Sequence, residues 1–357
     1  MNLNPLHILG IDISKDKFDV CLRPAAPADA PGQRACFANT PAGFQKLQRW
    51  LTQQGPAALH ACLEATSRYG DALAGFLYEQ KHTVSVVNPR RIRHYADSLL
   101  VRTQHDALDA AIIARFCATQ SPAAWQPTPT ALRQLQDRTR LRQFFVSQSQ
   151  RLQNRLHTEA PALTRLVRRQ LRQLEKTITE LDALIRAHLE SDAGLAQQVA
   201  LVDSIPGVGP VTAAAAVAEL PPVERLAHAG QAVALAGLDP RKKDSGDSVR
   251  GVAHLSKMGS RPLRAALYMA AVAAQTHNPL VRAQAQRLQA KGQTGKTVVC
   301  ASMRKLVRLI YGVLKTDQPF DPNWQGRTRA VPCARARASG GEGTSNLQFA
   351  APPVATA

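Results

Sequence analysis

An apolar run, a polar turn and an alternating segment follow one another in HILGIDISKDKFDVCL near the start of the chain. Apolar side chains at every second position mark a half-buried strand. The stretch therefore predicts a strand, a tight turn at Ser14–Lys17 and a second strand. Cys36–Ala38 adds a short third strand. Thr40 and Pro41 supply an N-cap and a proline at the first helical position. That helix runs to about Gln53, with Phe44, Leu47 and Leu51 on one face. Ala57–Leu63 reads as a buried strand closed by Glu64, and Tyr69–Gln80 as a helix. Thr83–Val87 is a further strand, closed by Asn88 and Pro89. A basic loop (Arg90, Arg91, Arg93, Arg102) leads into a helix over Asp106–Thr119, with Ala110, Ile113 and Phe116 or Cys117 inward. Three strands, then helices alternating with strands, define an α/β domain ending near the loop Ser121–Pro129.

The texture changes from Leu132 to about Leu189, where turn residues nearly vanish. Leu171, Leu174, Ile178, Leu181 and Ile185 step by 3, 4, 3, 4, which is a heptad seam. Leu132, Leu135, Leu141, Phe145, Leu152 and Leu156 suggest an earlier, less regular helix, with a break near Pro161. Two long helices follow, in an arrangement open to an antiparallel hairpin. A second domain, helical and rich in Ala and Gly, begins near Leu195. The expected organisation is an α/β domain over 1–125, coiled-coil helices over 130–192, a mainly α domain over 195–318 and a disordered tail over 326–357.

Charge changes the picture. Among the 357 residues, Lys and Arg total 45 against 26 Asp and Glu, a formal charge of +19. Such a balance favours a polyanionic partner, because neutralising phosphates releases counterions. No amphipathic anchor or lipidation signal supports a membrane surface. No signal peptide is read in MNLNPLHILGID, and no segment reaches the roughly 20 apolar residues of a spanning helix. A cytoplasmic, nucleic-acid-binding protein is expected. Between Arg138 and Lys176 lie ten Arg or Lys and two Glu. That run reads as a phosphate-contacting or oligomerising arm, or as a plain solvated face. The six cysteines are scattered without a C-x-x-C pair, which argues against zinc and against a disulfide framework.

Four acids close or face the elements of the first domain. Asp12 sits in the first strand, Glu64 ends an inner strand, and Asp106 and Asp109 lie three apart on one helix face. Mg²⁺ takes oxygen ligands, and two-metal phosphoryl chemistry needs several carboxylates converging on two ions about 4 Å apart. Each acid alone also has a local reading: Asp12 as a turn cap, Glu64 as a helix-start acid, Asp106 as an N-cap and Asp109 as a first-turn acid. Their joint order favours the metal site.

The second domain carries two further signals. SIPGVGPVTAAAAVAEL has the look of a helix-hairpin-helix turn, in which backbone N–H groups near Gly207 and Gly209 meet a phosphate. A tight loop between packed helices fits it too. In LAGLDPRKKDSGDSVRGVAHLSKMGSRPLR, Ser245 lies in a polar loop among Arg241, Lys242, Lys243 and Arg250, with Lys257, Arg261 and Arg264 further on. A serine among cations can attack a phosphodiester, since the cations stabilise the developing charge. Composition alone does not select Ser245 over Ser248 or Ser256.

Taken in order, Asp12 in GIDISKDKFDV, Glu64 in LEATSRYG, Asp106 and Asp109 in DALDAAIIA, then IPGVGPVTAAAAVAEL and AGLDPRKKDSG…LSKMGSRPLRAALYMAA resemble the DEDD-type insertion-sequence transposases, the "IS-one-ten" family. The resemblance covers about residues 6–315. It implies an RNase H-like (RuvC-like) first domain, a coiled-coil dimerisation segment and a C-terminal transposase domain. It implies that Asp12, Glu64, Asp106 and Asp109 bind Mg²⁺ and that Ser245 is the nucleophile. It also implies a homo-oligomer, dimer or tetramer, guided by a structured non-coding bridge RNA, with the tetrad of one subunit serving the serine of another. The expected activity is cleavage and strand exchange of DNA during transposition. Two rivals remain at this stage: a Holliday-junction-type Mg²⁺-dependent nuclease using only the tetrad and water, and a non-enzymatic nucleic-acid scaffold.

Overall fold

The computed structural model describes residues 7–25, 27, 31–56, 58–65, 68–99, 106–241, 244–245, 249–250 and 254–323, with backbone only for 106–108, 244–245 and 249–250. The tail expected over 326–357 lies outside the described residues. The chain divides into two compact units, Met1–Leu195 and Ala196–Ala357.

The first unit is built on one mixed sheet. Its strands are β1 (His7–Ile13), β2 (Lys17–Pro24), β3 (Gln33–Ala38), β4 (Leu59–Glu64) and β5 (Thr83–Val87), in the order β3-β2-β1-β4-β5. β2 runs antiparallel to β1 and β3, while β4 lies parallel to β1 and β5 parallel to β4. Alternation along each strand sends side chains to two faces. Leu9, Ile11, Ile13, Ala61, Leu63 and Val84 fill one core with α1 (Pro41–Gln54) and α2 (Asp71–Glu79). Ile8, Cys62 and Val87 fill the other with α3 (Pro89–Ser98) and α4 (Asp106–Gln120). The helices thus sandwich the sheet.

The part of the expected basic loop that holds Arg90, Arg91 and Arg93 is helix α3; Arg102 lies outside the described residues. Asn88 caps the helix by accepting from the Arg90 N–H at 2.9 Å, and Pro89 takes the first turn. Only Ile92 of this helix is buried, so its apolar signal is faint.

The far edge of the sheet is covered. The segment after α4 returns along β5, where the Trp125 N–H donates to the Val84 carbonyl at 2.6 Å. The buried Ser85 hydroxyl donates to the Ala123 carbonyl at 2.8 Å, with the Pro122 carbonyl at 3.0 Å alongside. Trp125 also meets Tyr78 edge to face, with ring centres 6.1 Å apart.

Two long helices complete this unit, α5 (Thr130–Leu156) and α6 (Pro161–Glu190). Arg142 pairs with Asp182, and His188 Nε2 meets the Ala131 carbonyl at 2.8 Å. Those two contacts run in opposite directions along the helices, so the hairpin is antiparallel. Leu171, Leu174, Leu181 and Ile185 of the heptad seam are buried. Pro161 opens the second helix and accounts for the break.

The second unit is mainly helical. Its elements include α8 (Pro210–Glu219), α9 (Ala229–Leu235), α10 (Arg261–His277), α11 (Pro279–Ala290) and α12 (Gly295–Thr316), after α7 (Ala193–Asp203). Alanines at 213, 214, 216, 270, 271 and 274 are buried, which lets helices approach closely. Between α9 and α10 the chain forms a ribbon of four short strands: β6 (Pro240–Arg241) pairs with β9 (His254–Leu255), and β7 (Asp244–Ser245) with β8 (Val249–Arg250). Ser245 therefore stands on a strand rather than in the loop expected. Two-residue ladders leave no alternation long enough to read from sequence. Among the described residues no helix is long and apolar enough to cross a membrane.

Candidate active site

Asp12, Glu64 and Asp109 lie toward one end of the first unit's sheet. β1 and β4 are parallel neighbours in register Ile11↔Leu63. One step further along each strand stand Asp12 and Glu64, on strands about 4.8 Å apart. Both lie on the face of Gly10 and Cys62, the face that α4 covers. Gly10 permits that approach. A Cβ there would sit 2.1 Å from the Ala110 carbonyl and 2.4 Å from the Ala114 nitrogen. The helix thus presses on the strand beside Asp12 and brings Asp109, next to Ala110, over the same sheet end.

The electrostatics agree with that placement. Burial lifts the Glu64 carboxyl above its ordinary range, and the negative charge of Asp109 lifts it further, while Arg93 pulls it back. Asp12 and Asp109 are half-buried. Asp12 also faces Asp19 across β2, and Asp19 takes the Lys17 ammonium at 3.2 Å. Asp106 is the first residue of α4; its side chain lies outside the described ones. Among the described residues, no three His, Cys, Asp or Glu side chains converge closely enough to hold an ion. Half-buried carboxylates at one sheet end, with the Asp109 charge raising Glu64, suit a divalent cation, which would relieve the like-charge repulsion.

The serine ribbon is fixed at its root. The Ser256 N–H donates to the Asp239 carbonyl at 2.9 Å, and the Ser256 hydroxyl donates to the Asp239 carboxylate. Arg264 ties the two sides together by donating to the carbonyls of Ala236 at 2.9 Å and Gly259 at 3.0 Å. The close crossing needs glycine at 259, where a Cβ would lie 2.1 Å from the Leu235 carbonyl. Arg241 is exposed on β6, and Arg261 is exposed at the start of α10. Lys257 adopts a left-handed φ of 52°. Lys242 and Lys243 lie outside the described residues, as do the side chains of Ser245 and Arg250.

The glycine turn at 207–209 divides in role. Gly207 has φ 93°, and a Cβ there would meet the Ala274 backbone at 2.6 Å, so it seats the turn against α10. Gly209 precedes α8 and faces open space. Sequence reasoning missed Asp239, Ser256 and Arg264 as the ribbon's root. An Asp and a Ser 17 positions apart give no local signal.

Comparison with known proteins defines the class. Residues 9–165 match the DEDD transposase family model, and residues 199–286 match the model described as Transposase IS116/IS110/IS902 family. The chain is 31% identical over 318 residues to the pilin gene-inverting protein of Moraxella bovis, covering 88% of this chain and 97% of that one. The pilin gene-inverting protein of Moraxella lacunata is equally similar, at 31% over 318 residues, covering 88% of this chain and 97% of that one. A probable family 20 transposase of Pseudomonas aeruginosa is 26% identical over 324 residues, covering 78% of this chain and 91% of the relative. These matches define an enzyme that acts on DNA. The chain belongs to the DEDD-type IS110 transposase family.

Proposed function

We propose that this transposase cuts and rejoins DNA through Ser245, assisted by Mg²⁺ held by Asp12, Glu64, Asp106 and Asp109. The observation that carries the reading is the convergence of Asp12, Glu64 and α4 at one sheet end. The strand order 3-2-1-4-5, with β2 antiparallel, supports an RNase H-like first domain. The heptad seam of α6 supports a coiled-coil role in a homo-oligomer. Two sites on two separate units suit a composite centre, in which one subunit's acids serve another's serine. The charge of +19 suits a chain that holds both DNA and a structured guide RNA.

Bound among these acids, a divalent cation supplies Lewis-acid polarisation of a phosphoryl oxygen. The protein's own part is nucleophile and positioning. The Ser245 hydroxyl oxygen bonds to phosphorus and its proton leaves to solvent. The bond from phosphorus to one deoxyribose oxygen breaks, and that oxygen takes up a proton. A hydroxyl on the partner strand then displaces serine, restoring the phosphodiester and the free side chain. Arg241, Lys242 and Arg250 neutralise phosphate charge during both exchanges. Asp239, Ser256 and Arg264 hold the ribbon's base.

The test is capture of a protein–DNA adduct on denaturing gels with DNA bearing the element's ends. Wild-type protein forms it, and Ser245→Ala neither forms it nor recombines. Metal-dependent nicking by Ser245→Ala, with no adduct in the wild type, would assign a hydrolytic nuclease instead.

A further inference from the structure

We propose that the groove between α11 and α12 binds the phosphodiester backbone of a nucleic acid through Arg304, Lys305 and Arg308. The groove has a volume of about 120 Å³ and is lined by those three cations with Gln284 and Ala301. Among the described residues no carboxylate lines it. Arg304 and Arg308 stand one helical turn apart on the same face of α12. Met303, Leu306, Val307 and Ile310 anchor that helix in the core, so the two guanidinium groups stay close together. Arg304 and Lys305 are half-buried, and both line the groove.

The electrostatics are those of a cation cluster short of an anion. Burial holds the Arg304 guanidinium below its ordinary range, and the charge of Arg308 lowers it further. Asp239 offsets this in part, but its carboxylate already accepts the Ser256 hydroxyl. A phosphate in the groove would relieve the repulsion, and guanidinium groups match its oxygens two at a time. The location gives the site a use. The charge of Arg304 reaches Asp239, the residue before the serine ribbon begins. A backbone held on α12 therefore passes the ribbon's root. The inference rests on the family's action on DNA and not on the chemistry of Ser245. A failure of one therefore leaves the other standing.

The experiment measures binding of full-length protein to random-sequence duplex DNA and to single-stranded RNA over a range of salt concentrations. The variants are Arg304→Gln/Arg308→Gln, the charge-retaining Arg304→Lys/Arg308→Lys, and Lys46→Gln/Arg49→Gln on the exposed side of α1, which matches the loss of charge. Each lost contact lowers the slope of log affinity against log salt by about 0.9 for duplex DNA and about 0.7 for single strands. The Gln pair is therefore expected to lower the slope by about 1.8 on DNA or about 1.4 on RNA. The nucleic acid that responds names the source of the phosphates. The Lys pair keeps the wild-type slope with weaker binding. A Gln-pair slope equal to that of the α1 control, with the melting temperature unchanged, overturns the proposal. So does a slope that stays low in the Lys pair.

Discussion

Asp12, Glu64 and Asp109 of the first unit stand beside core residues of their elements, whereas Ser245 of the second unit stands on a ribbon with two residue pairs in each ladder. At the sheet end, Ile11 and Leu63 are buried immediately before Asp12 and Glu64, and α4 is pressed to the strand by a missing side chain at Gly10. Carboxylate spacing there is inherited from packing. On the ribbon, position depends on polar ties at one end: Asp239 to Ser256, and Arg264 to two carbonyls. The difference teaches that the proposed cation site and nucleophile are held by different forces. The first is held by close packing, which resists displacement in every direction. The second is held by a few hydrogen bonds, each of which contributes about 1 kcal/mol.

Substitutions at the two regions should separate these modes. The largest effect is expected from Asp12→Asn, which removes a charged acid without changing volume. Strand cleavage should fall on the order of a hundredfold or more, as it does when an aligned electrostatic group is lost, while DNA binding measured by anisotropy stays intact. Cleavage at the wild-type rate would detach Asp12 from the chemistry.

Next is Gly10→Ala. The added methyl meets backbone atoms of α4, which cannot swing aside as a side chain can. A stability loss of about 1–3 kcal/mol is expected, read by denaturant titration, together with a fall in cleavage as Asp109 shifts. An unchanged midpoint would mean that α4 does not sit against β1.

Smaller is Ser256→Ala at the ribbon root. The expected loss is about 1–2 kcal/mol in the unfolding of the second unit, because the bond to Asp239 is charge-assisted. Adduct formation should fall more than DNA affinity does. Equal falls in both would show that the root acts on binding alone.

The smallest effect is pH-dependent. Glu64 in the folded protein holds its proton more tightly than in the unfolded chain. That preference stabilises the fold below the ordinary carboxylate range, and the gain is lost as pH rises through the raised folded pKa. Glu64→Gln carries no such dependence. In chelator-treated protein its melting temperature relative to wild type should climb between acidic and neutral pH. The gain should stay below about 1 kcal/mol, since half-exposed charges are screened. A flat difference across that range would contradict the burial and Asp109 repulsion at this carboxyl.

Legibility from sequence followed the same division. Four strands of the sheet were readable because their apolar runs or alternations span five residues or more, while of β3 only Cys36–Ala38 was legible, its Gln33 and Arg34 being polar and exposed. Asp12, Glu64 and Asp109 stood out as acids ending or facing such elements. α3 was missed although Asn88 and Pro89 mark its start, because four arginines between 90 and 102 hid a helix with one buried residue. The Ser245 ribbon and its root were invisible for another reason. Their contacts join residues far apart along the chain by single hydrogen bonds, and such pairs leave no periodic trace. The groove on α12 lay in between: Arg304 and Arg308 have helical spacing, but Gln284 comes from α11.

The strip along β5 has a consequence for a protein that gathers on polyanions. An uncovered rim of backbone donors and acceptors invites a neighbour's strand to add on, and crowding along a nucleic acid would speed such stacking. Trp125 takes the Val84 carbonyl of that rim and the Ser85 hydroxyl ties the chain's own loop beside it, so the loop stands where a neighbour's strand would add.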